Sequence, residues 1–179
     1  PAALLKGIAF VETRWEHLRP GQAAEDGHMP PAYGVMALRD DDWFGYSLTA
    51  AADLLNAPPV LLKNDPAANI RGAAALLKSY ADAMQPRPDP RDPEAWLPAV
   101  ARFSGIPQRD LQGSHARSVY AALRDGYSEY GILIDPVPID MERVESAIRR
   151  DFSAAEPFAP SSEDYAPAVW DASPNFRSR

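Results

Sequence analysis

One carboxylate in the first apolar segment stands among residues that belong in a core. When a helix from Ala2 to Leu18 is plotted at about 100° per residue, Glu12 falls between Ile8 and Leu5, inside a continuous apolar arc. A buried carboxylate must find a charged or hydrogen-bonding neighbour, or hold a proton near neutral pH. A carboxyl group that holds a proton can act as a general acid.

The residues alone leave the role of Glu12 open. It could pair with an arginine, of which Arg14, Arg71 and Arg102 are the candidates. Alternatively, the helix could end early and the carboxylate could reach solvent. Structural ion pairs and catalytic acids both place carboxylates in such positions.

Four short segments, taken in order, resemble a known family. They are Glu12-Thr-Arg-Trp15, Tyr33-Gly-Val-Met-Ala-Leu38, Asn69-Ile-Arg-Gly-Ala-Ala-Ala-Leu-Leu77 and Ala99-Val-Ala-Arg-Phe-Ser-Gly105. This set resembles the soluble lytic transglycosylases, relatives of goose-type lysozyme that cleave the glycan strands of peptidoglycan. The resemblance covers about residues 1–126.

The resemblance implies a role for each matched position. Glu12 would be the general acid that protonates the glycosidic oxygen, and Gly34 and Met36 would shape the floor of the groove. Phe103 stands where the family has a tyrosine that approaches the acid. In the family, the C6 hydroxyl of muramic acid attacks, so neither a second carboxylate nor a cofactor is required, in contrast to the two-carboxylate scheme.

Several positions depart from the family pattern. Thr13 replaces a serine and keeps a hydroxyl, whereas Ala37, Phe103 and Ser104 replace Gln, Tyr and Asn. These three changes remove or shorten polar groups, which are worth about 1 to 3 kcal/mol each where a site uses them. A domain that binds glycan strands without cutting them is therefore an alternative prediction.

Aromatic residues near the acidic run Asp40-Asp-Asp42 could stack on sugar faces. The run itself could supply a second carboxylate or a cation site, although it lacks the pattern of a calcium loop, and a solvated turn is the simpler interpretation. The candidate substrate-binding residues are Thr13, Tyr33, Gly34, Met36, Trp43, Tyr46, Phe103 and Ser104.

The three histidines lack the spacing of a metal site. His17, His28 and His115 form neither a His-x-Glu nor a His-Glu-x-x-His pattern, so we expect no bound metal and interpret them as surface or capping residues.

Composition excludes several classes of protein. The 179 residues are 46% hydrophobic and 24% charged, contain no Cys and carry a formal net charge of -7. The acidic balance argues against a nucleic-acid partner, which requires a basic face. No apolar stretch approaches the roughly 20 residues that span a bilayer, so we expect no membrane partner.

The elements that must position these residues are mainly helical. Asp65-Pro66 and Asp92-Pro93 each place an N-cap residue before a proline at the first helical position, and Ser47 is a third N-cap candidate. Only Tyr127 to Ile134 has an extended pattern. Trp96 is predicted to lie in the core, and Gly72 is predicted to allow two helices to pack closely. The predicted helices run from Ala2 to Leu18, Leu48 to Asn56, Pro66 to Met84, Pro93 to Phe103, His115 to Asp125 and Asp140 to Phe152.

We therefore predict a mainly α, lysozyme-like domain over residues 1–126, with an extended, partly helical tail over 127–179. The segment from Asp164 to Asn175 resembles the sequence that precedes the zinc domain of bacterial N-acetylmuramoyl-L-alanine amidases. This resemblance implies an accessory N-terminal part of a secreted, periplasmic or wall-associated hydrolase, with an amidase domain downstream. A purely structural helical domain for protein contacts is a third alternative.

Overall fold

The chain folds as a mainly α structure, in agreement with the predicted fold class. The computed structural model describes residues 1–21 and 30–153. Within those residues, short two-stranded hairpins accompany the helices. The elements are α1 (Ala2–Thr13), β1 (Ala32–Tyr33), β2 (Leu38–Arg39), α2 (Ser47–Leu55), α3 (Pro59–Asn64), α4 (Pro66–Asp82), a 3-10 turn (Pro93–Trp96), α5 (Leu97–Phe103), α6 (Arg109–Asp125), β3 (Tyr127–Glu129), β4 (Ile132–Ile134) and α7 (Met141–Asp151).

The core lies between α1, α4, α5 and α6. Helix α1 packs along α6, and α4 lies against α2, α3 and α5. Gly7 lets α1 approach α6 closely, because a Cβ there would lie 3.1 Å from Leu123. Gly72 does the same for α4, where a Cβ would lie 2.7 Å from Leu62. The close packing predicted for Gly72 and the core position predicted for Trp96 are confirmed.

Two of the three predicted N-caps are confirmed. The Asp65 carboxylate accepts hydrogen bonds from the backbone N–H groups of Ala67 and Ala68, and Asp92 accepts one from Ala95. The prediction for Ser47 is wrong, because Ser47 is the first residue of α2 and its Oγ accepts a hydrogen bond from the backbone N–H of Arg39.

Several predicted helix boundaries are corrected. Helix α1 ends at Thr13 rather than Leu18, because Arg14 and Trp15 adopt left-handed backbone conformations with φ of 54° and 64°. Helix α6 begins at Arg109 rather than His115, and the six-residue α3 is additional to the predicted helices. The helix predicted from Pro93 to Phe103 divides into the 3-10 turn and α5.

The residues after Gly126 add to the same core. The predicted extended segment forms the antiparallel β3–β4 hairpin, with Tyr127 opposite Ile134. Ile134, Val144 and Phe152 are buried. In the part of the chain that the structure describes, no helix is long and apolar enough to cross a membrane. The amidase-like segment after Asp164 lies outside the described residues.

Candidate functional site

Glu12 lies in the last turn of α1 and faces α6, as its position in the apolar arc predicts. Its side chain is 15% exposed, and its Oε1 lies 2.8 Å from Nε2 of His115, whose side chain is 11% exposed. The partner is therefore a histidine rather than one of the predicted arginines. Arg14 and Arg102 instead lie over the rings of Phe10 and Tyr80.

The expectation of a surface or capping role is wrong for His115. The residue lies inside α6, one turn before the buried Val119, on the side that packs against α1. Nε2 is close enough to Glu12 for an ion pair but is not aligned for a hydrogen bond, and Nδ1 is buried with no hydrogen-bond partner among the described residues. The two side chains are thus in close contact without a well-aligned hydrogen bond.

Asn69 and Thr13 hold the turn between β1 and β2 against α1 and α4. The fully buried Asn69 amide donates to the carbonyl oxygens of Tyr33 (3.1 Å) and Leu62 (3.0 Å) and accepts from the Met36 N–H (2.8 Å). Thr13 Oγ1 lies 2.7 Å from the Val35 carbonyl oxygen. Asn69 is absent from the predicted site residues. A polar residue among the small residues of a predicted helix is the sequence feature that could have pointed to it.

Gly34 is required by this arrangement. Its φ is +74°, and a Cβ there would lie 2.1 Å from Nδ2 of Asn69, which allows no side chain. Its N–H donates to the Leu18 carbonyl oxygen (2.8 Å), so the chain leaving α1 also pairs with the turn. The segment that carries Glu12 and the turn that carries Gly34 and Met36 are therefore joined.

Four of the predicted substrate contacts are shielded by the fold. Thr13, Gly34, Met36 and Phe103 are buried. The Ser104 hydroxyl donates to the Ala101 carbonyl oxygen (2.7 Å), as helix-end serines often do. As substrate contacts, these five residues remain predictions.

Two predicted sugar-binding aromatics are open to solvent. The side chains of Trp43 and Tyr46 are 60% and 58% exposed. The Tyr46 hydroxyl donates to Asp42, and this hydrogen bond together with the carboxylate charge raises the pKa of Tyr46. Tyr33 is half-buried, with the Lys63 ammonium 4.1 Å from its ring centre.

The acidic run forms a turn, as predicted. Asp41 accepts hydrogen bonds from the N–H groups of Trp43 and Phe44, and Asp40 accepts two from Thr49. In residues 1–21 and 30–153, no group of three or more His, Asp or Glu side chains is arranged to hold a metal ion.

The predicted site residues lie in separate parts of the fold. Tyr46 and Phe103 line a cavity of about 410 Å³ together with Tyr80 and Arg102. Burial raises the pKa of Tyr80. Met36 lines a different, largely apolar cavity of about 460 Å³ beside Trp15. Neither of these two cavities is lined by Glu12.

Comparison with known proteins does not identify a family. No family model matches the chain, and neither a curated protein nor a solved structure matches it. A function for this chain is therefore inferred from its own residues.

Proposed function

We propose that this chain binds the glycan strands of peptidoglycan and cleaves the bond between N-acetylmuramic acid and N-acetylglucosamine. The observation that carries the proposal is the placement of Glu12. Its side chain is 15% exposed, in the last turn of a helix that Thr13 ties to the Tyr33–Leu38 turn. A largely shielded carboxyl group on a rigid element suits general-acid chemistry.

The proposed reaction needs one carboxyl group. Glu12 donates its proton to the glycosidic oxygen while the bond from that oxygen to the anomeric carbon breaks. A hydroxyl group then attacks the anomeric carbon and returns its proton to Glu12. If that hydroxyl is the muramic acid C6 hydroxyl, the product is an anhydro sugar; if it is water, the product has a reducing end.

Exposed aromatic rings support binding of sugars. Trp43 lies in one turn and Tyr46 follows that turn, and both side chains are more than half exposed to solvent. Pyranose rings have apolar faces that pack well on aromatic rings. The polar N–H of Trp and the O–H of Tyr can stay hydrated in such a contact. In this proposal the two rings contact the strand.

Mass spectrometry of soluble products from purified peptidoglycan tests the proposal. Anhydromuramyl fragments that disappear in E12Q would support a lytic transglycosylase, and reducing-end fragments a lysozyme. The matched control is E16Q, a neighbouring exposed glutamate at the end of the same segment. Equal release by E12Q and the wild type would contradict the role of Glu12.

A second candidate is a glycan-binding domain without activity. It is favoured by Phe103, which is buried and has no hydroxyl to offer the acid, and by Ser104, whose hydroxyl is used inside the fold. Such a domain would belong to a secreted or periplasmic enzyme and would hold its downstream amidase domain on the cell wall. It predicts that sacculi pull down the chain without any fragment release, and absence of binding would contradict both candidates.

A further inference from the structure

The Glu12–His115 contact joins two titratable side chains that the surrounding helices largely shield from water. Glu12 belongs to α1 and His115 to α6, so the pair depends on helix packing rather than on local sequence. The two groups are 15% and 11% exposed. Few other side-chain pairs in proteins can exchange a proton near neutral pH as readily as a carboxylate and an imidazole.

Five charged side chains on or next to the helices around this pair contact other groups. On α6, Arg117 pairs with Glu145 of α7, and the Arg109 guanidinium donates to the Asp151 carbonyl oxygen. On α1, the Lys6 ammonium donates to the Leu133 carbonyl oxygen. Arg14 lies over Phe10, and Arg102 of α5 lies over Tyr80. Within the described residues, Glu12 and His115 are therefore each other's charge partner.

We infer that Glu12 and His115 share one proton, and that His115 stores the proton that Glu12 donates to the glycosidic oxygen. This inference rests on the cleavage activity proposed above. His115 is a positioning residue in this scheme, because it acts through Glu12 and makes no contact with substrate of its own.

The proton exchange follows from burial. With one proton between them, the two groups are either imidazolium and carboxylate or two neutral groups. When a bound glycan excludes water, the separated charges lose hydration, which favours transfer of the proton from Nε2 to Oε1 and leaves two neutral groups. Rotation of the carboxyl group then presents the proton to the glycosidic oxygen.

The cycle closes without any further reactant. The bond between the anomeric carbon and the leaving oxygen breaks, and its electron pair stays on that oxygen, which takes the proton. The attacking hydroxyl forms the new bond to the anomeric carbon, and its proton returns through Glu12 to Nε2. The lack of an aligned hydrogen bond between Nε2 and Oε1 fits this scheme, because catalytic hydrogen bonds are often poorly aligned before substrate binds.

Two measurements on the whole chain test whether His115 stores the proton that Glu12 donates. The first is the rate of fragment release and the binding to sacculi for wild type, H115Q and R117Q. Arg117 is the matched control, since it lies on the same helix and pairs with a carboxylate at the surface. We expect H115Q to release fragments about 10-fold more slowly or worse with unchanged binding, and R117Q to match the wild type.

The second measurement needs no substitution at His115 and so does not depend on whether H115Q folds. It compares the imidazole ¹⁵N chemical shifts of His115 in wild type, E12Q and E16Q at about pH 6, within the range in which histidine side chains generally change charge. We expect a clear shift of Nε2 in E12Q and none in E16Q.

The outcomes separate the inference from the proposed function. Fragment release by the wild type with an unaffected H115Q would overturn the proton store and leave the proposed cleavage standing. An unchanged Nε2 shift in E12Q would overturn it as well. Binding without any release from the wild type would end both the cleavage and the proton store, and would favour the glycan-binding domain.

Discussion

Gly34 and Asn69 determine how closely the β1–β2 turn can approach α4. The amide of Asn69 occupies the space where a side chain at position 34 would begin. Because a left-handed φ strains any L residue, a fair test compares two glycines with similar φ. Gly131 is that control, because its φ is +76° in the β3–β4 turn and a Cβ added there would have no atom within 4 Å.

We expect G34A to lower the free energy of unfolding by about 2 kcal/mol more than G131A does. Both variants carry the strain of a positive φ, but only G34A forces a methyl group into a buried amide. Urea denaturation followed by circular dichroism measures the difference. Equal losses would mean that the turn moves away from Asn69 without cost.

The amide of Asn69 also supports a prediction of its own. N69A leaves the Tyr33 and Leu62 carbonyl oxygens and the Met36 N–H without their partner, and we expect it to cost about 3 kcal/mol of unfolding free energy. N64A is the control, because Asn64 is exposed and its side-chain amide donates to the Val60 carbonyl oxygen within its own helix. Its effect should stay within about 0.5 kcal/mol, and a similar loss in both variants would contradict the role of the buried amide.

At the scale of single residues, the sequence predicts which way a side chain faces better than it predicts which residue that side chain contacts. The apolar arc of α1 correctly places Glu12 against the interior. The partner escapes prediction because a helix that begins at His115 makes this histidine look like a cap. From its true start at Arg109, α6 places His115 one turn from Val119, on the side that faces α1.

At the scale of elements, the caps carry a pH dependence whose sign can be worked out. The N–H groups of Ala68 and Ala67 lower the pKa of Asp65 below its ordinary value of 3.8. A group whose pKa is lowered by folding contributes stability above its unfolded pKa and loses that contribution as the pH falls through its folded pKa. The Asp65 carboxylate should therefore stabilise α4 at neutral pH and lose this effect below pH 3.8.

We expect D65A to lower the melting temperature at neutral pH, with a deficit that shrinks as the pH falls below 3.8. D65N is the matched control, because its amide oxygen can still accept the capping bonds but cannot titrate. Thermal unfolding at a series of pH values measures both. A D65A deficit that stays constant down to the acid limit would show that the charge of Asp65 is not involved.

Caps and prolines explain which helices the sequence predicts well. Asp65-Pro66 fixes the start of α4, since the cap and the proline specify the same residue. Helix α3, from Pro59 to Asn64, is too short for a hydrophobic period to be recognised. The early end of α1 depends on the left-handed conformations of Arg14 and Trp15, which neither glycine nor proline marks in the sequence.

At the scale of the whole molecule, composition and periodicity suffice for a mainly α fold but not for a function. The four motifs that suggest peptidoglycan do meet in part: Thr13 and Asn69 both bind the turn from Tyr33 to Leu38. Phe103, from the fourth motif, instead shares a cavity with Tyr46. Peptidoglycan as the substrate stays a prediction, because it depends on chemistry that packing alone does not reveal.

The extent of the folded unit can be tested directly. The resemblance stops near Gly126, yet three buried side chains after it, Ile134, Val144 and Phe152, join the core. Phe152 packs where α7 crosses Gly113 of α6. The Val137 N–H donates to the Leu123 carbonyl oxygen, which ties the end of α6 to the chain that leaves the hairpin.

A chain ending at residue 126 should therefore be less stable than one ending at residue 153. Burial of a large apolar side chain contributes about 1.5 to 3 kcal/mol, so we expect the shorter chain to lose about 4 kcal/mol or more of unfolding free energy. Urea denaturation of both chains measures the difference, and a lower m-value would show that less surface is buried. If the two chains unfolded at the same urea concentration, the hairpin and α7 would rest on the helical domain without stabilising it.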